Sequence, residues 1–149
     1  MKTKNQLLLI FLILLSFFTY SQNDRKIDSI FLDYIRLNEK YLESKELFDR
    51  VQLEKFAENE LLSALNEFEN QMIHKFNEEL FSVFLQILIY TSNSNDETPI
   101  DILGNIYIRY PNSVLSTVNK TNHNEKLISL LNFGLEINYF KLKEKLKMK

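Results

Sequence analysis

Apolar residues recur at intervals of three and four along most of the chain, the spacing of one face of an α-helix. From residue 22 to residue 98 there is neither glycine nor proline, so no strong helix breaker falls in this stretch. A first helix is predicted near residues 24–45. Its apolar stripe consists of Ile27, Ile30, Phe31, Tyr34, Ile35, Tyr41 and Leu42.

A second amphipathic helix is predicted over about residues 50–70. Asp49 followed three positions later by Gln52 has the spacing of a capping box at its start. The apolar stripe of this helix, which we expect to lie in the core, comprises Leu47, Phe48, Val51, Phe56, Leu61, Ala64, Leu65 and Phe68.

The third helical segment differs in character from the first two. Between residues 80 and 90 only Ser82 and Gln86 are polar. A helix that is apolar nearly all round is buried nearly all round, so this segment is the predicted central helix.

Turn-forming residues at 91–97 precede a fourth predicted helix over 98–110, with Thr98 as N-cap and Pro99 at its first position. Pro111 ends this helix, and a short helix follows at 113–118. Asn122 is the candidate cap of the last helix. Its predicted core positions are Ile128, Leu131, Leu135, Tyr139, Leu142 and Leu146. Both glycines, Gly104 and Gly134, fall inside predicted helices, where each allows close approach of a neighbouring helix.

The predicted fold class is therefore all-α, with five to six antiparallel helices and no convincing strand. Short connections favour antiparallel neighbours, arranged either as a helical bundle or as a short stack of helical pairs. In outline such pairs resemble the helical pairs of HEAT-type repeats, although the residues diagnostic of that family are absent.

The beginning of the chain has the order of a secretory signal peptide. Lys2 and Lys4 precede an apolar stretch over residues 7–18, and small residues follow, so cleavage is predicted after Ser21. Residues 1–21 are then a signal peptide, and residues 22–149 a single all-helical domain of an exported protein, periplasmic or secreted and soluble after cleavage. A retained anchor or a buried first helix is the alternative for the same residues.

No motif in the chain identifies a reaction. There is no cysteine, and there are two histidines, so zinc-cysteine and disulfide-framed proteins are excluded. His74 and Glu78 share a helix face, yet their neighbours indicate a solvated side, and His123 lies in a polar loop. We therefore predict no catalytic residue, no cofactor and no metal ligand.

Charge is distributed unevenly along the predicted mature chain. Acidic side chains outnumber basic ones by 20 to 16 in residues 22–149, which disfavours nucleic-acid binding. The end is basic, with Lys141, Lys143, Lys145, Lys147 and Lys149 against one glutamate. This tail could contact anionic lipid weakly or bind an acidic partner; alternatively, its lysines only complement the helix dipole.

A small cluster before Pro111 is the other candidate interaction surface. It consists of Tyr107, Arg109 and Tyr110, residue types enriched in binding hot spots. With no catalytic motif, these features favour a non-catalytic interaction module of the inhibitor or immunity type that binds another exported protein. The alternative is an exported small-ligand carrier or enzyme, with a pocket between the third and last helices.

Overall fold

The computed structural model describes residues 26–92 and 96–147, without the side chains of residues 145–147, and these residues form six helices. They are α1 (Ile27–Ser44), α2 (Leu47–Phe56, a π-helical turn Ala57–Leu61, then Leu62–His74), α3 (Glu78–Thr91), α4 (Thr98–Arg109), α5 (Pro111–Asn119) and α6 (Asn124–Lys147). The described residues contain no strand, which confirms the all-α prediction. The predicted signal peptide, the side chains of Lys145, Leu146 and Lys147, and Lys149 lie outside the described part of the chain.

The helices stack in two layers, α1, α3 and α5 in one and α2, α4 and α6 in the other, because each helix packs on the helix two places ahead. Within the first layer, Phe31 meets Phe84 and Glu39 meets Tyr90, so α1 and α3 run parallel. Glu69 meets Asn105, and the carbonyl of Ile73 meets Tyr110, so α2 and α4 also run parallel. Helices α1 to α4 therefore alternate in direction. Helix α6 runs antiparallel to α4, since Gly134 lies beside Gly104 and Lys141, further along α6, reaches Asp101 at the start of α4. The order of contacts favours the stack of helical pairs over an up-and-down bundle.

The centre of the core is a cluster of phenylalanine rings at the meeting point of α1, α2 and α3. Phe31 and Phe68 pack edge to face with centroids 5.4 Å apart, and the rings of Phe68 and Phe84 are 4.5 Å apart. All three side chains are completely buried. Helix α3, predicted as the central helix, contributes Phe84 to this cluster, and it packs on α1, α4, α5 and α6. That prediction is confirmed.

Helices α4 and α6 cross at the two glycines, where their backbones approach closely. A Cβ atom on Gly104 would lie 2.7 Å from the carbonyl oxygen of Gly134, and one on Gly134 would collide with the carbonyl oxygen of Ile100. The side-chain amide of Asn138 spans the crossing and donates to the carbonyls of Asp101 and Gly134 at 3.3 and 2.9 Å. The glycines therefore allow close helix approach, as predicted.

The first half of α2 departs from the predicted stripe. Leu47, Phe48 and Val51, predicted as core, are 75%, 64% and 38% exposed. The amide of Leu62 bonds to the carbonyl of Ala57, five residues back, and this wider turn changes the helical phase between the two halves of α2. The first half consequently turns Asp49 toward α1, while Leu61, Ala64, Leu65 and Phe68 stay buried as predicted.

The face that α6 turns inward is also different from the predicted one. Leu131 is buried as expected and Leu135 is half-buried, but Ile128, Tyr139 and Leu142 are 38%, 62% and 58% exposed. The buried residues are instead Leu127, Leu131 and Gly134. Close packing at the glycine crossing sets this rotation, because α4 can approach α6 only on the side that has no side chain.

Three predicted caps are wrong by a few residues. Helix α2 begins at Leu47, before the predicted capping box at Asp49, and α6 begins at Asn124 rather than after Asn122. Helix α4 includes Thr98 as its first residue, and the side chain of Asp96 accepts a hydrogen bond from the Thr98 amide at 2.9 Å. Helix α4 ends at Arg109 before Pro111, as predicted, and Pro111 itself begins α5.

Candidate interaction surfaces

The predicted interaction cluster at the end of α4, Tyr107, Arg109 and Tyr110, does not form one exposed surface. Tyr110 packs its ring 5.7 Å from that of Phe76, and its hydroxyl donates to the carbonyl of Ile73 at 3.1 Å. Tyr107 is half-buried against the core, whereas Arg109 is exposed. Tyr110 thus joins α4 to the end of α2, and of the three residues only Arg109 is fully available at the surface.

The structure adds Ile108 to this edge, a residue that the sequence pattern did not single out. Its side chain is 63% exposed and lies beside Arg109 in a shallow depression between the ends of α2 and α4. Asn105, in the same depression, donates to Glu69 at 2.7 Å. An apolar residue next to a guanidinium and a carboxylate is a surface that a protein partner could use.

The lysine-rich end of α6 extends beyond the helices that cover its first half. Every residue from Tyr139 to Glu144 is exposed. Lys141 forms an ion pair with Asp101 at the start of α4, with 2.5 Å between Nζ and Oδ2, so it also holds α6 against α4. Lys143 is exposed, and it follows the exposed apolar residues Phe140 and Leu142 by three and one positions.

A groove lies near the region between the third and last helices, where a small-ligand carrier or enzyme would need its pocket. It has a volume of about 450 Å³ and lies between α3 and the turn that leads into α6. Leu85 and Ile89 supply its apolar wall, and Thr121 and His123 lie on the opposite side. Its size is within the range of small-molecule sites, and its few polar groups could orient a ligand.

Tyr90 lies at one end of this groove and has a perturbed pKa. Burial raises the pKa of the Tyr90 hydroxyl above its usual value, and the nearby Glu39 carboxylate acts in the same direction. The hydroxyl donates to Glu39 at 3.2 Å. A raised tyrosine pKa keeps the group protonated near neutral pH, so it serves here as a hydrogen-bond donor rather than as a base.

The histidines do not form a metal site with the acidic residues that the structure describes. His74 is exposed, and the Glu78 carboxylate four residues later pairs with Lys120 at 2.5 Å. No group of three or more histidine and acidic side chains in residues 26–92 and 96–147 is placed to hold a metal ion.

Asp49 is a charged residue with only 5% of its side chain exposed. Its two carboxylate oxygens accept hydrogen bonds from Lys40 at 2.7 Å and from Ser44 at 2.6 Å. These donors, Lys40 first, hold the pKa of the Asp49 carboxyl below its usual value, because they stabilise the ionised form. The interaction joins the end of α1 to the first half of α2.

This contact predicts a specific dependence of stability on pH. A depressed pKa contributes stability above the unfolded-state value near 3.8, and the contribution disappears as pH falls through the lower folded-state value. We expect Asp49→Asn to unfold at lower urea concentration than the native chain at neutral pH, and the difference to narrow below about pH 4. Urea unfolding followed by circular dichroism over this pH range measures it.

The exposed Glu58 provides the control for that measurement. A Glu58→Gln variant changes one carboxylate to an amide without breaking a buried ion pair, so its difference from the native chain should remain small throughout. If the difference in stability between the Asp49→Asn variant and the native chain does not vary with pH, ionisation of Asp49 does not contribute to stability.

One exposed apolar surface was not predicted as a site. Leu42 at the end of α1, together with Leu47, Phe48 and Val51 at the start of α2, forms a corner where all four side chains are exposed. The sequence does contain the signal, since these residues occupy apolar stripes, but the stripes indicate burial in the core. Only the fold shows that no other helix within residues 26–92 and 96–147 covers them.

Along residues 26–92 and 96–147, no helix combines the length and the apolar character that crossing a membrane requires. Comparison of the chain with protein-family models, with curated proteins and with solved structures finds no match in any of the three.

Proposed function

We propose that the protein is an exported, non-catalytic interaction module that binds another exported protein, as inhibitors and immunity-type proteins do. The observation that carries this proposal is the uncovered end of α6, where Tyr139, Phe140 and Leu142 are each more than half exposed beside lysines. Exposed apolar clusters rimmed by charge are typical of protein-binding surfaces. The basic charge favours an acidic partner surface, since opposite charges accelerate encounter and discourage wrong partners.

The edge at the end of α4 is a second exposed surface that supports the same proposal. Ile108 and Arg109 are exposed there, while Tyr107 and Tyr110 are half-buried, and the Tyr110 hydroxyl bonds to the carbonyl of Ile73. A rigid anchor residue loses little conformational entropy when a partner binds.

Capture of partners by the predicted mature chain, residues 22–149, tests the proposal. The bait is offered to the exported proteins of its own source, and bound proteins are identified by mass spectrometry. A triple variant, Lys143→Glu, Lys145→Glu and Lys147→Glu, reverses the basic end but leaves the Lys141 ion pair with Asp101 intact. We expect one stoichiometric partner that the native bait retains and the variant binds about tenfold more weakly or worse.

A matched control separates a local effect from a change in net charge. Lys26, Lys55 and Lys75 are exposed on other parts of the fold, and reversing all three changes the net charge by the same amount. Retention of the partner by this control, with loss in the tail variant, supports the proposal. Equal binding by both variants shows that the end of α6 is not the binding surface.

The groove between α3 and the turn before α6 favours a second candidate function. A small-ligand carrier or enzyme would hold its ligand against Leu85 and Ile89, with His123 and Thr121 as polar contacts. The same purified bait distinguishes the two. A monomeric bait that retains a small molecule and captures no protein points to the carrier or enzyme.

A further inference from the structure

Two groups of apolar side chains, most of them on stripes that the helical periodicity marks for burial, are exposed in the part of the chain that the structure describes. The first, here called the corner group, is Leu42, Leu47, Phe48 and Val51, with exposed fractions of 38% to 75%. The second, the tail group, is Tyr139, Phe140 and Leu142, with exposed fractions of 58% to 62%. Clusters of this kind on a small protein indicate a surface that becomes covered on association.

The two groups lie at opposite ends of the stack of helical pairs. Helices α1 and α2, which hold the corner group, form the first pair, and α6 belongs to the last. Among the described residues, α6 packs on α3, α4 and α5 but not on α1 or α2. In this structure the tail group therefore does not cover the corner group of the same chain. Terminal pairs of such stacks normally present polar outer faces, and here each end carries a group of exposed apolar side chains among its polar ones.

Charge distinguishes the possible pairings of these surfaces. Residues 27–74, which form the first pair, contain eleven acidic and five basic side chains. Residues 138–147 contain four lysines and one glutamate. Two tail groups would bring like charges together. Residues 40–54, around the corner group, contain four acidic and three basic side chains, so two corner groups would repel little, but their pairing would leave both tail groups exposed. A corner group facing a tail group combines apolar contact with opposite charge.

From this we infer that the protein associates with a second copy of itself head to tail, the tail group of one chain covering the corner group of the next. Such an interface is heterologous: it joins two different surfaces and leaves one of each uncovered in the dimer. Association therefore continues to longer assemblies as concentration rises. High salt weakens it, because part of the attraction comes from exposed charges.

A second copy is a different occupant of the tail group from the foreign partner proposed above, and the two would compete for it. The inference does not depend on the foreign partner. Self-association is measured on the purified chain alone, whereas partner binding is measured by capture, so either can fail without the other.

Sedimentation velocity of the full mature chain over a wide range of concentrations, with two single variants, tests the inference. Phe48→Glu places a charge in the corner group, and Phe140→Glu places one in the tail group. Each should weaken self-association at least about tenfold, whereas Leu62→Glu, at an exposed leucine outside both groups, should leave it unchanged. Circular dichroism of each variant checks the fold, and Leu47→Ser is a milder second variant of the corner group.

Mixing the two variants gives the sharpest result. The Phe48→Glu chain keeps a functional tail group and the Phe140→Glu chain keeps a functional corner group, so an equimolar mixture should form a one-to-one dimer and nothing larger. A native chain that stays monomeric at all concentrations would overturn the inference. So would a variant that associates as well as the native chain, or a mixture that remains monomeric.

Discussion

Phe84→Ala is expected to lower the free energy of unfolding by about 3 to 5 kcal/mol, the usual cost of removing a buried phenylalanine ring. Phe84 is fully buried, and its ring centroid lies 4.5 Å from that of Phe68 and 6.0 Å from that of Phe81. Alanine would remove these contacts and leave a cavity between α1, α2 and α3. A loss of this size is a large part of the stability of a typical small domain.

Urea unfolding followed by far-ultraviolet circular dichroism measures this change. Phe133→Ala is the matched control, since the same substitution is made on α6 at a side chain that is 42% exposed. We expect the control to cost well under half as much, because its ring is already partly in water. A loss below about 1 kcal/mol for Phe84→Ala would contradict the central position of this ring in the core.

Gly134→Ala is expected to destabilise the protein by about 2 kcal/mol, although alanine is normally the better helix former. Alanine gains about 1 kcal/mol over glycine in a helix interior. Against this, the new methyl group meets the backbone carbonyl of Ile100, which cannot rotate away as a side chain would. Helices α4 and α6 must separate, and overpacking of this kind costs about 3 kcal/mol.

The sign of the effect is what distinguishes a close helix crossing from an ordinary helical glycine. Asn132→Ala, two residues earlier on the exposed side of α6, is the control and should be neutral or slightly stabilising. Chemical denaturation of both variants gives the comparison. A Gly134→Ala chain more stable than the native one would mean that α4 and α6 do not approach each other at this residue.

The helices themselves could be predicted from the chain because their signals are local. The apolar segment around Phe84 indicated the central helix. The absence of glycine and proline before residue 98 indicated one helix after another, as found in residues 27–91 apart from short turns. Pro111 ends α4 because the residue before a proline is disfavoured in helical geometry. Helix boundaries shifted by a few residues, since several polar residues near each start could act as the cap.

The inward faces of α2 and α6 could not be predicted in the same way. A single π-helical turn at Ala57–Leu61 changes which residues of α2 lie on one side, and no residue type in that segment signals it. On α6, the periodicity marks Tyr139 and Leu142 as core, but the glycine crossing turns Gly134 and Asn138 toward α4. Such choices depend on a second helix, which the local pattern does not describe.

The candidate surfaces, too, could be predicted from the sequence only in part. Residue types placed Arg109 and Lys143 at the surface correctly, whereas Tyr110 proved to be bonded to the carbonyl of Ile73, 37 residues earlier. The corner group was visible only as part of two amphipathic stripes. An amphipathic stripe indicates that a helix face is apolar. Only the tertiary contacts show whether another helix covers that face.

By itself, the sequence determined the all-α class, the central helix, the close approach at the two glycines and the contrast between an acidic body and a basic end. These properties depend on residue type and on spacing along one helix, and both can be read from the chain. The tertiary structure alone decided the layering of the helix pairs, the rotation of α2 and α6, the burial of Asp49 against Lys40 and Ser44, and the two uncovered apolar groups. Each of these depends on contacts between residues far apart in the chain, where a small change in helical phase replaces one buried face by another.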